Sequence, residues 1–103
     1  MINKIRRNNM NEKSLQIPER FDFGYHKEFT DQYQAILDAG AVSDIALDFS
    51  RVNYLDSSAL GMMVLFQKKA KGQNVHVRIR GAKDNAREIL QIANFDRLFE
   101  ISQ

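Results

Sequence analysis

Apolar positions along this chain switch between two spacings. Ser14–Ile17 alternates and stops at Pro18, which cannot donate to a strand ladder. Tyr25–Ala39 changes period. Phe29, Tyr33, Ile36 and Leu37 fall at i, i+4, i+7 and i+8, which is one helix face, and Gly40 is placed to end it. Asp44–Ser50 alternates again, with Ile45, Leu47 and Phe49 on one side and Ala46 on the other, and predicts a buried strand. Ser57–Lys71 predicts a strongly apolar helix. Leu60, Met63, Val64 and Gln67 form its core stripe, widened by Met62, Leu65 and Phe66, and Gly72 closes it. Asn74–Arg80 sets Val75, Val77 and Ile79 against His76, Arg78 and Arg80, a half-exposed strand. Asp84–Ala93 gathers Ala86, Ile89, Leu90 and Ala93 on one helix face, and Asn94 closes it. Phe95, Leu98, Phe99 and Ile101 then supply a short edge strand. Pro18–Gly24 and Arg51–Leu55 read as connections.

Strands alternating with crossover helices predict an α/β fold. The expected architecture is a mixed central sheet of about four to five strands, with helices mainly on one side because His76, Arg78 and Arg80 make the other face polar. The length, 103 residues, suits one domain. Residues 1–13 read as a basic arm or a weak edge strand at Ile2–Arg7, followed by an Asn-rich turn, and residues 14–103 as the domain.

Charge divides along the same boundary. The net +2 splits into +3 for residues 1–13, four cations against Glu12, and −1 for residues 14–103, 11 cations against 12 acids. Nucleic-acid binders carry a basic face on the domain itself, so no nucleic-acid partner is expected. Lys68, Lys69, Lys71, Arg78 and Arg80 form an acid-free cluster, but three lysines fill a helix C-terminal turn, where cations suit the dipole. A solvated face accounts for them, and no aromatic platform is interleaved. No apolar run approaches the ~20 residues of a membrane span, and the N-terminus lacks the apolar core of a signal peptide. Cysteine is absent, in keeping with a cytoplasmic address.

Enzyme motifs are missing: no GxGxxG, no Walker A loop, no GxSxG, no HExxH. His26 and His76 stand fifty positions apart without clustered partners. No catalytic residue, metal or cofactor is expected. The segment Tyr54-Leu55-Asp56-Ser57-Ser58-Ala59-Leu60-Gly61 is different, because three hydrogen-bonding side chains open an apolar helix. One cap suffices, and a cap contributes ~1 kcal/mol. Gly61 inside that helix costs about 1 kcal/mol relative to Ala, which predicts a close backbone approach by sheet or partner.

The stretch DFSRVNYLDSSALGMMVLF resembles the signature of the STAS domain, the fold of anti-sigma factor antagonists. In that pattern an aspartate, a phosphorylatable serine, a second Ser or Thr and then Gly or Ala with Leu-Gly open a helix. Here they are Asp56, Ser57, Ser58, Ala59, Leu60 and Gly61, with Ala59 where many members have Gly. DIALDFSRV resembles the family's central strand and IRGAKDNAREILQIANFDRLFEI its last strand-helix unit, so the likeness spans about residues 14–102. ERFDFGYHKEF and DSSALGMM look most like the single-domain antagonists of Gram-negative partner-switching systems.

The resemblance implies a non-enzymatic switch. Unphosphorylated, the chain binds an anti-sigma factor or switch kinase, or another output protein. Phosphorylation at Ser57 releases it, and a serine phosphatase restores it. Ser58 is the second-choice acceptor. Asp56 either caps the helix or helps a kinase hold Mg²⁺, and the cap needs no partner. The implied binding surface is Asn53, Tyr54, Asp56, Ser57, Ser58 and Met62, with one of Met62 and Met63 expected to point outward; Phe21 and Phe23 are assigned to core packing. Partner exchange at an exposed Ser57 suits a monomer. Two other readings stay open: a non-switching STAS subunit of a larger assembly such as an inner-membrane lipid-transport complex, and a small-nucleotide binder.

Overall fold

The computed structural model describes residues 12–102. Its strands are β1 (Glu12–Gln16), β2 (Arg20–Phe21), β3 (Asp44–Asp48), β4 (Tyr54–Leu55), β5 (His76–Arg80) and β6 (Glu100–Ser102). Its helices are α1 (His26–Ala39), α2 (Ser57–Gly72) and α3 (Asp84–Ile92). The strands β1-β3-β5-β6 form one sheet and β2-β4 a second, two-stranded one. Every pairing among the described residues is parallel, and the four-stranded sheet with its three helices is the expected α/β architecture. The proposed first edge strand at Ile2–Arg7 lies outside the described residues.

The strand order explains the layering. Each crossover, β1 to β3, β3 to β5 and β5 to β6, moves one place in the same direction. Crossovers of one hand and one direction put all three helices on one face. That face carries Leu15, Ile45, Leu47, Val77 and Ile79, all buried. Phe21, Phe29, Tyr33, Phe49 and Phe66 extend this core. Tyr33 stacks on Phe66 with centroids 4.4 Å apart, and Phe29 meets both Phe21 and Phe66 edge-on at 5.2 and 5.7 Å. These rings tie β2, α1 and α2 together.

The opposite face is polar, and the parallel register explains the basic cluster. Arg78 pairs with Glu12, His76 Nε2 lies 2.9 Å from a Glu100 carboxylate oxygen, and Arg80 lies 3.9 Å from Asp48. The acids missing from residues 68–80 arrive from the adjacent strands β3 and β6 and, across β3, from β1. Ala46 is fully buried between these longer side chains.

Two segments expected as connections contain strand. Arg20 and Phe21 pair with Tyr54 and Leu55. Each strand is two residues long, too short for alternation to mark. Phe23–Tyr25 forms a 3₁₀ turn, so Phe21 is buried while Phe23 is 67% exposed, contrary to its assignment to the core. The turn breaks the alternation that would have kept both rings on one side. In α2, Leu65 does not join the core stripe and is 50% exposed. The last helical residue is Gly72, with Gln73 as the cap residue. Asn94 takes the left-handed conformation that ends the segment after α3, as its position suggested.

Candidate functional site

The site is the junction of β4 and α2. Its loop is pinned from below by β2. The Asn53 and Tyr54 amides both donate to the Glu19 carbonyl, at 2.9 and 3.3 Å, and the Asp56 amide donates to the Phe21 carbonyl at 3.3 Å. Asn53 Nδ2 adds a bond to the Glu19 carboxylate at 3.2 Å. The Arg20 guanidinium covers the Tyr54 ring 4.5 Å from its centroid and also pairs with Asp22 at 2.9 Å. Cation–π contacts at exposed sites contribute about 0.5–1 kcal/mol, enough to orient a ring. Glu19 and Arg20 were missed in the sequence because the contact joins positions more than thirty residues apart.

Asp56 is the N-cap of α2. Its backbone is extended and its carboxylate accepts the Ala59 N–H at 2.9 Å. The Leu60 N–H then reaches the Asp56 carbonyl at 3.2 Å, the first turn of the ladder. Ser57 and Ser58 occupy the first two helical positions, whose N–H groups have no intrahelical partner. Ser57 is exposed, and Ser58 is half-buried. A hydroxyl at Ser57 therefore stands at the positive end of a 16-residue helix with free donors beside it.

The structure groups Asn53, Tyr54, Asp56, Ser57 and Ser58 on one surface, with Asn53 and Tyr54 exposed. Met62 does not join them. It is 8% exposed and Met63 fully buried, so neither methionine points outward. Buried residues of α2 are Ala59, Met62, Met63, Phe66 and Ala70, a face shifted from the expected stripe. Leu60 and Val64 are only half-buried at its margin. Gly61 meets no close neighbour either: a Cβ built there finds nothing within 4 Å among the described residues. The expected approach of the sheet does not occur.

Behind the loop, Ser50–Asn53 and Lys83–Asn85 line a cleft of about 370 Å³. Gly81 keeps its wall tight, since its φ of +79° favours glycine and a Cβ there would lie 3.3 Å from Ser50. Asp48 anchors the same loop by accepting the Ser50 N–H at 2.9 Å. That bond, with the nearby Arg80 and Arg51 charges, lowers the Asp48 pKa. His26 and His76 lie on separate elements, His26 stacked on Phe23 and His76 on the polar sheet face. Among the described residues, no group of three His, Cys, Asp or Glu side chains is gathered to hold a metal. No helix there is long and apolar enough to cross a membrane.

The family model described as "Mlab, STAS domain" matches residues 6–100. This chain belongs to the STAS-domain family. A STAS-domain containing protein of Pseudomonas aeruginosa (strain UCBPP-PA14) is 41% identical over 91 residues, 88% of each chain. The unphosphorylated anti-sigma factor antagonist SpoIIAA is 15% identical and superposes with a TM-score of 0.75, covering 90% of this chain and 82% of that one. The phosphorylated Bacillus form, also 15% identical, gives 0.68 over 90% and 85%. A sulfate transporter family protein of Wolinella succinogenes, 19% identical, gives 0.75 over 90% and 77%. An anti-sigma factor antagonist and a transporter-family protein match with the same TM-score. The fold is thus shared between proteins of different roles, and the match by itself does not choose a role for this STAS domain.

Proposed function

We propose that this chain is an anti-sigma factor antagonist of the partner-switching kind, with Ser57 as its gate. The carrying observation is the placement of Ser57, exposed at the first position of α2 and flanked by an aspartate already engaged as the cap. The fold match to SpoIIAA, known in both phosphorylated and unphosphorylated forms, supports the same reading.

The physics of such a gate is local. A phosphate adds about −1.5 to −2 charges at neutral pH. At a helix N-terminus the dipole and free N–H groups accommodate it, so the fold survives. A partner seated on the same surface must desolvate or repel that charge, at a cost of about 2–5 kcal/mol. Even ~3 kcal/mol weakens binding on the order of a hundredfold. Asn53, Tyr54, Asp56, Ser57 and Ser58 form the contact surface in this reading, and Met62 supports it from beneath. The partners are an anti-sigma factor or switch kinase and a serine phosphatase, in a cytoplasmic setting. The domain acts as a monomer, by binding rather than catalysis.

The test is a pull-down from the source cell with Ser57→Ala and Ser57→Asp baits, read by mass spectrometry. A kinase-like or anti-sigma protein held by Ala and lost by Asp supports the switch. Identical partner lists reduce Ser57 to a helix-opening residue. A second reading, a non-switching STAS subunit of a membrane transport assembly, is favoured by the fold match to a sulfate transporter family protein, equal in TM-score to the SpoIIAA match. Stoichiometric co-purification with membrane-bound transporter subunits, whatever the residue at 57, would select it.

A further inference from the structure

The three helices differ in what they show to solvent. Outward positions of α1 include Lys27, Glu28, Asp31, Gln32 and Asp38, and those of α3 include Arg87, Glu88 and Gln91, with Ile92 exposed at its last position. Apart from Ile92 these are polar and of mixed sign. The outward face of α2 is neither. With its buried face formed by Ala59, Met62, Met63, Phe66 and Ala70, the exposed line Ser57, Gly61 and Lys68, at i, i+4 and i+11, runs along the opposite side, with half-buried Val64 beside it. Leu60 and Leu65 flank that line, and Leu65 is half-exposed. A helix apolar around most of its girth normally has both sides covered.

Charge is equally lopsided. Ser57–Gly72 holds three lysines and no acid, a local +3 inside a domain whose net charge is −1. Lys68, Lys69 and Lys71 are exposed, and none makes an ion pair with the described residues. Lys69 lies 5.8 Å above the Tyr33 ring. Gly61 sits between the apolar and the gate positions, exposed, with nothing within 4 Å of a Cβ. It costs helix stability, and nothing among the described residues requires it.

We propose that the outward face of α2 docks an acidic amphipathic helix of a partner protein. The partner backbone approaches closely at Gly61, its apolar residues cover Leu60, Val64 and Leu65, and its carboxylates sit over Lys68 and Lys71. The inference rests on the reading of Ser57 as the gate and supplies the surface which that gate controls. A phosphate at Ser57 would repel the same acidic helix that the lysines attract, so one charge pattern serves both affinity and release. A second copy of this chain is the poorer occupant, because an isologous pair brings two +3 helices together. A lipid surface is poorer too, since interfacial helices bury a broad Trp, Phe and Leu face and on α2 only Leu65 among the large apolar side chains is exposed, and only by half.

The experiment places the photocrosslinker p-benzoylphenylalanine at position 65 of the full chain in the source cell, with position 92 as the comparison site. The adduct is sequenced. The expected adduct at 65 is a peptide of helical periodicity with Asp or Glu concentrated at one end. Its yield falls about tenfold or more in the Lys68→Glu, Lys71→Glu double variant, as for loss of complementary charge. Circular dichroism confirms that the variant still folds. An adduct with lipid or a second copy, an acid-free peptide, no adduct at 65, or indifference to the double variant would each overturn the proposal. Failure of the gate reads differently. If the acidic-helix adduct survives Ser57→Asp undiminished, docking stands and phosphorylation control falls. If a Ser57-dependent partner crosslinks elsewhere and not at 65, the gate stands and this docking face falls.

Discussion

The carboxylate of Asp56 accepts the Ala59 N–H at 2.9 Å, while the intervening Ser57 turns to solvent. The acid beside the serine is therefore occupied in holding the helix start. Asp56→Ala is expected to lower stability by ~1 kcal/mol, about 4–8 °C in Tm for a domain of this size. Asp56→Asn, which still caps, should lose much less. Thermal melts followed by circular dichroism separate the two. Equal losses would mean that the charge, not the cap, is what matters.

Ser57→Asp tests how the fold tolerates charge at the proposed gate. A negative group at the first position of α2 interacts favourably with the helix dipole, by about 0.3–1 kcal/mol at low salt. The variant should melt at or slightly above the wild-type temperature, with the gain fading as salt is added. A clear drop in Tm would mean that loss of partner binding cannot be read as gating.

Gly61 and Gly81 should answer the same substitution with opposite signs. At Gly61 the helix is ordinary and a Cβ meets nothing, so Gly61→Ala stabilises by about 1 kcal/mol. At Gly81 the φ of +79° and the 3.3 Å approach to Ser50 make Gly81→Ala destabilising. Urea denaturation of the pair measures both. Gly61→Ala should also weaken partner capture if a backbone docks there.

Phe66 joins α2 to α1 through its contacts with Tyr33 and Phe29 and is fully buried. Phe66→Ala should cost about 3–5 kcal/mol, a large share of a small domain's stability. Loss of cooperative unfolding in denaturant is the expected readout.

Asp48 gives a pH dependence with a definite sign. Its folded pKa is lowered, first by the Ser50 backbone N–H and the Ser50 side chain, and by Arg80 and Arg51. The resulting stability is present above the unfolded carboxylate value, ~4, and is lost as pH falls through the lower folded value. Asp48→Asn should therefore destabilise at pH 7, by about 1 kcal/mol or less for a partly exposed bond, and converge with wild type in acid. Melts between pH 7 and 2 would show a constant gap if the charge were irrelevant.

The chain's periodicity determined the three helices, the order of the strands β1, β3, β5 and β6 around them, the single helix-bearing face and the start of α2 at Ser57, because those depend on spacing within one segment. Asp56 as the cap was legible for the same reason: a cap is a contact three residues long. Tertiary structure decided the rest. The β2–β4 ladder joins two-residue strands, too short to leave a pattern, yet it sets Asn53 and Tyr54 beside Glu19 and Arg20. The basic run from Lys68 to Arg80 divided only when the parallel register brought Glu12, Asp48 and Glu100 to its arginines and histidine and left the lysines free of ion pairs among the described residues. Met62 and Leu65 exchanged places for a similar reason. Both are apolar, and which faces inward depends on where α1 and the sheet press against α2, a constraint carried by distant residues rather than by the helix itself.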